Sequence, residues 1–441
     1  MSSGAPASAA PVRPWRDRRL LLLLAFGFSC GAPLPLVAGQ VLRQWFAESG
    51  LSLGAIGLTA LIGLAYANKF LWSPALDAVR PPPPFARLGQ RRGWLVPIQA
   101  LLAAATLGVG LTDPATSAGA TVALAVLVAF LSASQDIVVD AYRIEVLGED
   151  EGEQARGLAA YVWGYRLALL ASGAGTLLLV GRIGWPGAYA VAAAVLGAVG
   201  LAATLVGPEP RAARVPVPAR WEARLRGSVV EPFREFTGRP LWLAILLFVS
   251  LFKLGEALAG VMTTPFYRSL GFTREDVATV GTVFGMAATL AGALVGGWLV
   301  PRLGTGRALV LTGLGQMLSN LMYVALYHAG HSMPMLWAQV GVESFTDGLA
   351  DAAFLTYLSG LTSRAYTATQ YALLSSLAAV PLRTLGATSG WLAEALGWPG
   401  FFVLTTAAAL PAMAIMLWLL RRLPPPSAAP PVAGLRGEAA A

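Results

Sequence analysis

The chain has 441 residues, of which 56% are hydrophobic and only 12% charged, with a formal net charge of +8. A soluble domain carries about a quarter charged residues, so the composition excludes an ordinary soluble enzyme or binding module. The single cysteine, Cys30, excludes an intramolecular disulfide framework.

Residues 1–19 are Ala/Ser/Pro-rich and end in Arg13, Arg16, Arg18 and Arg19, as expected of a disordered cytoplasmic N-terminus. The apolar run that follows lacks a small-residue cleavage site, and Pro33 and Pro35 suit a kinked span better than a signal peptide. Apolar windows predict spans at about 20–42, 51–73, 94–112, 118–141, 157–181 and 187–206. A polar cytoplasmic stretch at 207–240 separates these from a second set. That set lies at about 241–264, 277–300, 307–328, 333–358, 369–393 and 400–420. Residues 421–441 read as a disordered cytoplasmic tail. The expected fold is therefore all-α, with twelve transmembrane helices in two six-helix bundles, 20–206 and 241–420, and a site between them.

Arginine placement sets the orientation. With a cytoplasmic N-terminus, 23 of 29 arginines fall in cytoplasmic segments, four in external loops (Arg43, Arg182, Arg268, Arg274) and two inside helices (Arg166, Arg383). This follows the positive-inside rule and puts both termini in the cytoplasm. The excess of +8 is thus a topology signal and not a nucleic-acid footprint.

The halves echo each other. Gly184-Trp-Pro-Gly187 joins spans five and six, and Gly397-Trp-Pro-Gly400 joins spans eleven and twelve. Arg166-x5-Ser172-Gly173 recurs as Arg383-x5-Ser389-Gly390, and Gly50-x-Ser52 as Gly271-x-Thr273. Three matches in order indicate a duplicated six-helix unit.

Ionisable residues at membrane depth are the functional candidates, since each costs roughly 2.5–3.5 kcal/mol to insert. Asp136 and Asp140 share one face near the end of span four. Asp140 is expected to latch onto Arg91 or Arg92, while Asp136 reads equally as a latch or as a protonation or substrate site. The only lysines, Lys69 and Lys253, both fall inside predicted helices. Lys69 either snorkels or gates. Lys253 lies about 18 Å into span seven, with Glu256 one turn on. The pair is either a static bridge or a substrate-anion site modulated by Glu256. Glu343, Asp347 and Asp351 recur every four residues on span ten, and three ionised acids in one column repel one another. Glu343 is the first candidate for a coupling proton, its alternative being a fixed partner for Lys253 or Arg383. Arg166 and Arg383 are each expected to meet an acid or a substrate anion. Gln135 and Gln339 are candidate substrate contacts, as are Gln40, Ser134 and Asn320, with helix packing the alternative. Ser172-Gly-Ala-Gly175 and Gly292-Ala-Leu-Val-Gly296 read as close helix contacts. His328 and His331 lack further ligands, so no metal is expected, and no phosphate-binding loop or other cofactor motif is present.

The loop Asp77-Ala-Val-Arg80 to Arg91-Arg92-Gly-Trp94, with its counterpart Gly297-Trp-Leu-Val-Pro301-Arg302-Leu-Gly304, resembles the major facilitator signature. More specifically, several motifs together resemble the AmpG-type muropeptide permeases. They are Tyr66-x-x-Lys69-Phe-x-Trp72-x-Pro74-x-x-Asp77, Arg91-Arg-Gly-Trp-Leu95, Ser134-Gln-Asp136-x3-Asp140-Ala-Tyr, Tyr165-Arg166 and Thr367-Ala-Thr-Gln370-Tyr-Ala-Leu-Leu-Ser375. The acetyl-CoA transporters are similar around Lys69–Trp94 and Gln135-Asp136. The resemblance covers about residues 20–420 and implies proton-coupled import of anhydro-muropeptides across the bacterial inner membrane, by a monomer that alternates access. It also implies gating by Asp77, Lys69, Arg91, Arg92 and Asp140, and places spans four, seven and ten around the cavity. Two departures stand out: Gly281-Thr282 replaces an Asn-Lys pair, and Asp347 and Asp351 stand where small or hydroxyl residues are usual. An importer of a different solute (acyl-CoA-like or a small peptide) and a non-transporting receptor for wall fragments are the alternatives. A membrane enzyme would need catalytic groups at the membrane surface, whereas these acids reach mid-depth.

Overall fold

The computed structural model describes residues 17–148, 151–210, 234, 237–238, 240–361 and 379–422. Among these residues the regular elements are all helical and no strand occurs. The two tails, most of the 207–240 stretch and the Thr367–Ser375 motif lie outside the described residues.

Span one is three helices. Asp17 caps α1 (Arg18–Gly31) by accepting from the Arg19 N–H at 2.9 Å. Pro33 opens α2 (Pro33–Val37), as its preset φ favours the first turn, and α3 (Gln40–Glu48) follows. The apolar window that ends at about residue 42 places Arg43 in an external loop. Arg43 instead sits inside α3, 8% exposed, because its guanidinium finds partners that let the helix continue.

Span two is also segmented: α4 (Leu53–Leu58), a 3-10 run Thr59–Gly63, α5 (Leu64–Ala67), a 3-10 turn Lys69–Leu71 and α6 (Ser73–Ala78). Then come α7 (Gln90–Leu111), α8 (Pro114–Leu147), α9 (Glu151–Leu170), a π-helical turn Ala171–Gly175 and α10 (Thr176–Val206). The second set starts with α11 (Trp242–Leu251) and α12 (Leu254–Ser269), which are span seven broken at Lys253. Next are α13 (Arg274–Asp276), a π-helix Val277–Phe284, α14 (Gly285–Leu303), α15 (Thr305–Ser319), α16 (Leu321–Ala329) and α17 (Met333–Gly360). After the helical residues 379–386 come α18 (Ser389–Ala408) and α19 (Leu410–Arg422).

Eight described stretches are long and apolar enough to cross a membrane, and Leu53–Ala67 is a shorter apolar one. Two of the eight run past a predicted span boundary: Arg156–Val206 holds spans five and six, and Ser389–Arg422 holds the end of span eleven and all of span twelve. In both, a glycine of the repeated Gly-Trp-Pro-Gly sequence makes the turn: Gly184 has φ 71° and Gly397 φ 66°, values that a side chain would strain. The other repeat points behave alike. Ser52 caps α4, and Thr273 caps α13 through a capping box with Asp276. Helix α17 is long enough to cross, but Glu343, Asp347 and Asp351 make it too polar to be counted. The helices are thus consistent with twelve crossings.

The chain divides into two compact units. The first holds residues up to Gly39, Lys69–Asp113 and Ser117–Val217; the second holds Gln40–Asn68, Pro114–Thr116 and everything from Pro218. This division cuts across the expected 20–206 boundary, because α3 and α4 pack on α12 and α18. In a bilayer, apolar burial gives helices little reason to associate, so close backbone contact matters more. In the second unit Gly292 and Gly296 of α14 face the Phe345 and Leu349 carbonyls of α17, and Gly348 faces Thr289 in return. A Cβ at these sites would overlap backbone, as the small-residue pattern of span eight predicted. The first unit is centred on Leu23, Phe26, Leu95, Val138, Val139 and Tyr142.

Candidate functional site

The first unit holds one ionic group at the end of α8. The i, i+4 spacing brings Asp136 and Asp140 to one face, and Lys69, at the break after α5, reaches both. Its Nζ lies 3.8 Å from Asp136 Oδ2 and 3.7 Å from Asp140 Oδ2. Arg143 Nη2 lies 3.8 Å from Asp140 Oδ1. Asp136 is 9% exposed, and its Oδ1 accepts no hydrogen bond among the described residues. Trp72 Nε1 donates to Ser134 Oγ at 3.1 Å, which docks the Lys69 segment on α8. Gln135 is fully buried and donates to Ser29 Oγ at 3.2 Å and Cys30 Sγ at 3.3 Å, so it ties α8 to α1.

The latch expected between Asp140 and Arg91 or Arg92 is not formed. Arg91 instead grips Glu145, Nη2 to Oε1 at 2.6 Å and Nε to Oε2 at 3.0 Å. Arg92 donates to the Thr204 and Leu205 carbonyls at the end of α10. Glu209 accepts from the Arg91 and Arg92 backbone N–H groups at 2.9 and 3.0 Å, capping α7 where its dipole favours an anion. The reason is reach: Glu145, one to two turns beyond Asp140, stands beside the start of α7, and Lys69 already occupies Asp140. Asp77 lies in α6, with its side chain outside the described residues. Of the two partners expected for Arg166, an acid or a substrate anion, the first is not found: the side chain is exposed on α9 and makes no ion pair among the described residues.

The second unit holds a denser group. Lys253, at the break between α11 and α12, directs Nζ to Asp347 Oδ1 (2.6 Å), Asp351 Oδ1 (2.6 Å) and Glu256 Oε2 (2.8 Å). Gln316 Nε2 donates to Glu256 Oε2 at 2.6 Å and Asp347 Oδ1 at 3.1 Å. The partner for Lys253 is therefore not Glu256 alone, and not Glu343. One ammonium against three carboxylates leaves a formal charge of −2 when all are ionised. Low-dielectric surroundings make that state costly, so such a group takes up protons or cationic partners.

One turn away on α17, Glu343 lines a cavity of about 200 Å³ within the same unit. Gln40, Arg43, Thr263, Tyr267 and Tyr323 share its wall, together with Gly281. Gln40 Nε2 donates to Thr282 Oγ1 at 2.5 Å, and Thr263 and Tyr323 hydroxyls lie 3.0 Å apart. Tyr267 donates to Gln339 Oε1 at 2.5 Å; Gln339 is fully buried. The Gly281-Thr282 pair sits in the π-helix Val277–Phe284, a distortion that recurs at functional sites. Arg383 is half-buried, with its guanidinium against Gly63.

Sequence reasoning missed Arg43, Glu145, Gln316 and the two tyrosines. Arg43 falls just past the apolar window that ends at about residue 42, so the sequence puts it in a loop. Gln316 carried a usable signal, as a long amide in an otherwise apolar span. Tyr267 and Tyr323 look like interfacial anchors in sequence, and only tertiary packing turns their hydroxyls inward.

Comparison with known proteins agrees with this architecture. A family model, Major Facilitator Superfamily, matches residues 20–382 and again 254–439. The chain is 40% identical over 412 residues to the anhydromuropeptide permease of Escherichia coli K12, covering 93% of this chain and 81% of that one. It is 33% identical over 407 residues to a putative transporter AmpG 4 of Rickettsia conorii, covering 92% and 97%. In fold it resembles the nucleoside transporter NupG (TM-score 0.71, 13% identity, 92% and 100% covered). It also resembles a peptide transporter of the POT type (TM-score 0.70, 12% identity, 91% and 94% covered). The chain is a multi-pass membrane transporter of small molecules, and it belongs to the AmpG-type permease family of the major facilitator superfamily.

Proposed function

We propose that this protein imports anhydro-muropeptides, or a closely related anionic amino-sugar–peptide, across the bacterial inner membrane by proton-coupled alternating access. Both termini are cytoplasmic in this reading, and the monomer is the working unit. The cargo assignment draws on the 40% identity to a permease of that name. The observation that carries the coupling is the surplus of acid over base around Lys253, with Glu343 one turn away at the cavity wall.

In this mechanism an external proton enters at Glu343 and passes to the Lys253 group, where Glu256, Asp347 and Asp351 share it. Neutralising one acid loosens the hold on Lys253 and biases the helices that carry these residues toward the other access state. Lys253, Arg383, Arg166, Gln135 and Gln339 are the remaining candidates for binding the cargo. Asp136 serves as a second protonatable site in the first unit. Lys69, Asp140, Asp77, Arg91 and Arg92 gate the cytoplasmic side, the Arg91–Glu145 bridge being the strongest link there.

The test is uptake of radiolabelled anhydro-muropeptide into proteoliposomes, with and without an acidic exterior. Uptake that needs the acidic exterior in wild type, and that persists in Glu343→Gln without needing it, supports the proposal. Full proton-dependent uptake by Glu343→Gln refutes the coupling role of that residue. No uptake by folded wild type refutes the cargo.

A further inference from the structure

Residues 40–68 belong to the first half of the sequence, yet they pack as part of the second unit. The division of the chain falls at two breaks in the backbone. Between α2 and α3, Ala38 leaves helical geometry with φ −121° and ψ 5°. A Cβ on Gly39 would lie 2.7 Å from the Pro35 Cα, so the bend admits no side chain there. After α5, Asn68 ends the helix with φ −102° and ψ 10°, and its Nδ2 donates to the Leu64 carbonyl at 3.0 Å. Each break has a fixed foot beside it. The Tyr189 hydroxyl donates to the Leu36 carbonyl at 2.7 Å, and Lys69 and Trp72 are held on α8 as described above.

Between the breaks, α3, α4, the 3-10 run and α5 form a hairpin. Directional polar bonds tie it to the rest of the second unit. Glu48, at the end of α3, accepts from Arg274 Nε at 2.5 Å, and Arg268 Nη1 lies 3.6 Å from the same oxygen. Glu394 of α18 accepts from the Gly54 N–H at 3.1 Å, and Arg43 donates to the Gly260 carbonyl at 3.0 Å. A glycine seam runs beside these bonds. A Cβ on Gly57 would lie 2.7 Å from the Ala387 carbonyl oxygen, and one on Gly390 would overlap the Leu53 carbonyl. Backbone lies on backbone at these points, so no side chain has to be withdrawn there for the two to part. The hairpin also carries part of the cavity wall: Gln40 and Arg43 line the space that Glu343 lines from α17.

From the coincidence of the two breaks with the division of the chain we infer that residues 40–68 are a hinged lid over the Glu343 cavity. The lid turns about Gly39 and Asn68, and the bonds made by Glu48 and Glu394 latch it shut. Lifting it removes Gln40 and Arg43 from the wall and bares Glu343. A hydrogen bond to a charged group shifts such an equilibrium roughly tenfold or more, which is enough to hold a lid without fusing it to its seat. That the lid opens outward, to admit external protons to Glu343, rests on the orientation and coupling proposed above; the hinge does not.

The test uses the full-length chain with Cys30→Ala in every background. Spin labels are carried in pairs by Leu51→Cys at the hairpin tip, His328→Cys in the second unit and Arg182→Cys in the first. Double electron–electron resonance in detergent reads the Leu51–His328 and Leu51–Arg182 distances. Two substitutions release the lid by different means: Glu48→Gln removes the ion pair, and Gly57→Ala wedges the seam. Each should shift both distances from those of the latched parent, and where one variant does not fold the other decides. A changed Leu51–His328 distance with Leu51–Arg182 constant means that the hairpin travels with the first unit as one rigid body, and overturns the lid. No change in either distance in folded variants overturns it as well. Ser344→Cys on the cavity wall then separates the lid from the transport reading. In right-side-out vesicles it should react with a membrane-impermeant maleimide added outside roughly tenfold faster when Glu48→Gln is present. Shifted distances with faster reaction only from the inner face leave the lid standing and overturn the outward orientation. Shifted distances with no faster reaction from either face overturn the lid as the cover of this cavity.

Discussion

Lys253 is the only cation within salt-bridge reach of three carboxylates among the described residues, so its removal is the sharpest perturbation of the fold. Lys253→Ala takes the group from a formal −2 to −3. Truncating one partner of a buried charge pair costs about 3–5 kcal/mol. The acids are not equally buried, however: their side chains are 21% (Asp347), 32% (Glu256) and 44% (Asp351) exposed. Solvent screens the outer two, which lowers the expected cost to about 2–3 kcal/mol. The same ranking predicts the rescue. Adding Asp347→Asn to Lys253→Ala should recover more stability than adding Asp351→Asn, since Asp347 is the least exposed acid and also holds Gln316. Thermal unfolding of the purified chain in detergent, read by intrinsic fluorescence at neutral pH, measures all four proteins. A single variant as stable as wild type, or equal rescue by either asparagine, would show that the charges are not balanced through Lys253 as described.

Three further outcomes are expected. Gly397→Ala, at φ 66° with open space around the missing Cβ, should cost about 1–2 kcal/mol from backbone strain alone, seen as a lower melting temperature with unchanged binding. Arg91→Ala and Glu145→Ala should each destabilise by about 1.5–3 kcal/mol, and the double variant by little more than either single one, because the two share one bidentate bridge; additive losses would disprove the pairing. Asp17 is pushed up by burial, but the Arg19 backbone N–H and side chain pull harder and hold its carboxyl below the usual 3.8. Its helix-capping contribution is therefore present above that value and is lost as pH falls through the depressed one, so Asp17→Ala should lower stability at neutral pH, by about 1 kcal/mol, and match wild type in strong acid.

Long-range periodicity carried most of the architecture. The repeated Gly-Trp-Pro-Gly sequences marked two turns whose backbones are nearly superimposable in angle, and the Gly292–Gly296 spacing marked a helix seam. The four-residue spacing of acids on α17 put Asp347 and Asp351 together, and they do share one partner. What stayed hidden were the partners themselves. Arg91 chooses Glu145 over Asp140 through the placement of α7 against α8, which depends on a loop whose path no periodicity encodes. A charge after an apolar run resembles a helix end, which puts Arg43 in a loop on sequence alone; its bond to the Gly260 carbonyl makes it a wall residue instead. Ser172-Gly-Ala-Gly175 reads as a packing stripe, yet it forms a π turn in which Ser172, Gly173 and Ala174 are buried and Gly175 faces open space.

The π-helix at Val277–Phe284 carries a consequence for how this element can change. A π turn holds one residue more than an α turn, so it offsets the helical phase by about 100°. Val277 and Gly281 of this π-helix line the cavity, while Gly292 and Gly296, in regular α-helix further on, stay locked to α17. Cavity wall and structural seam lie on one continuous helix but are indexed separately. Shifting the wide turn by a single position would present a different side chain to the ligand and leave the seam in register. Changes in cargo preference can therefore accumulate between residues 277 and 284 without re-engineering the contact that holds the helix in place.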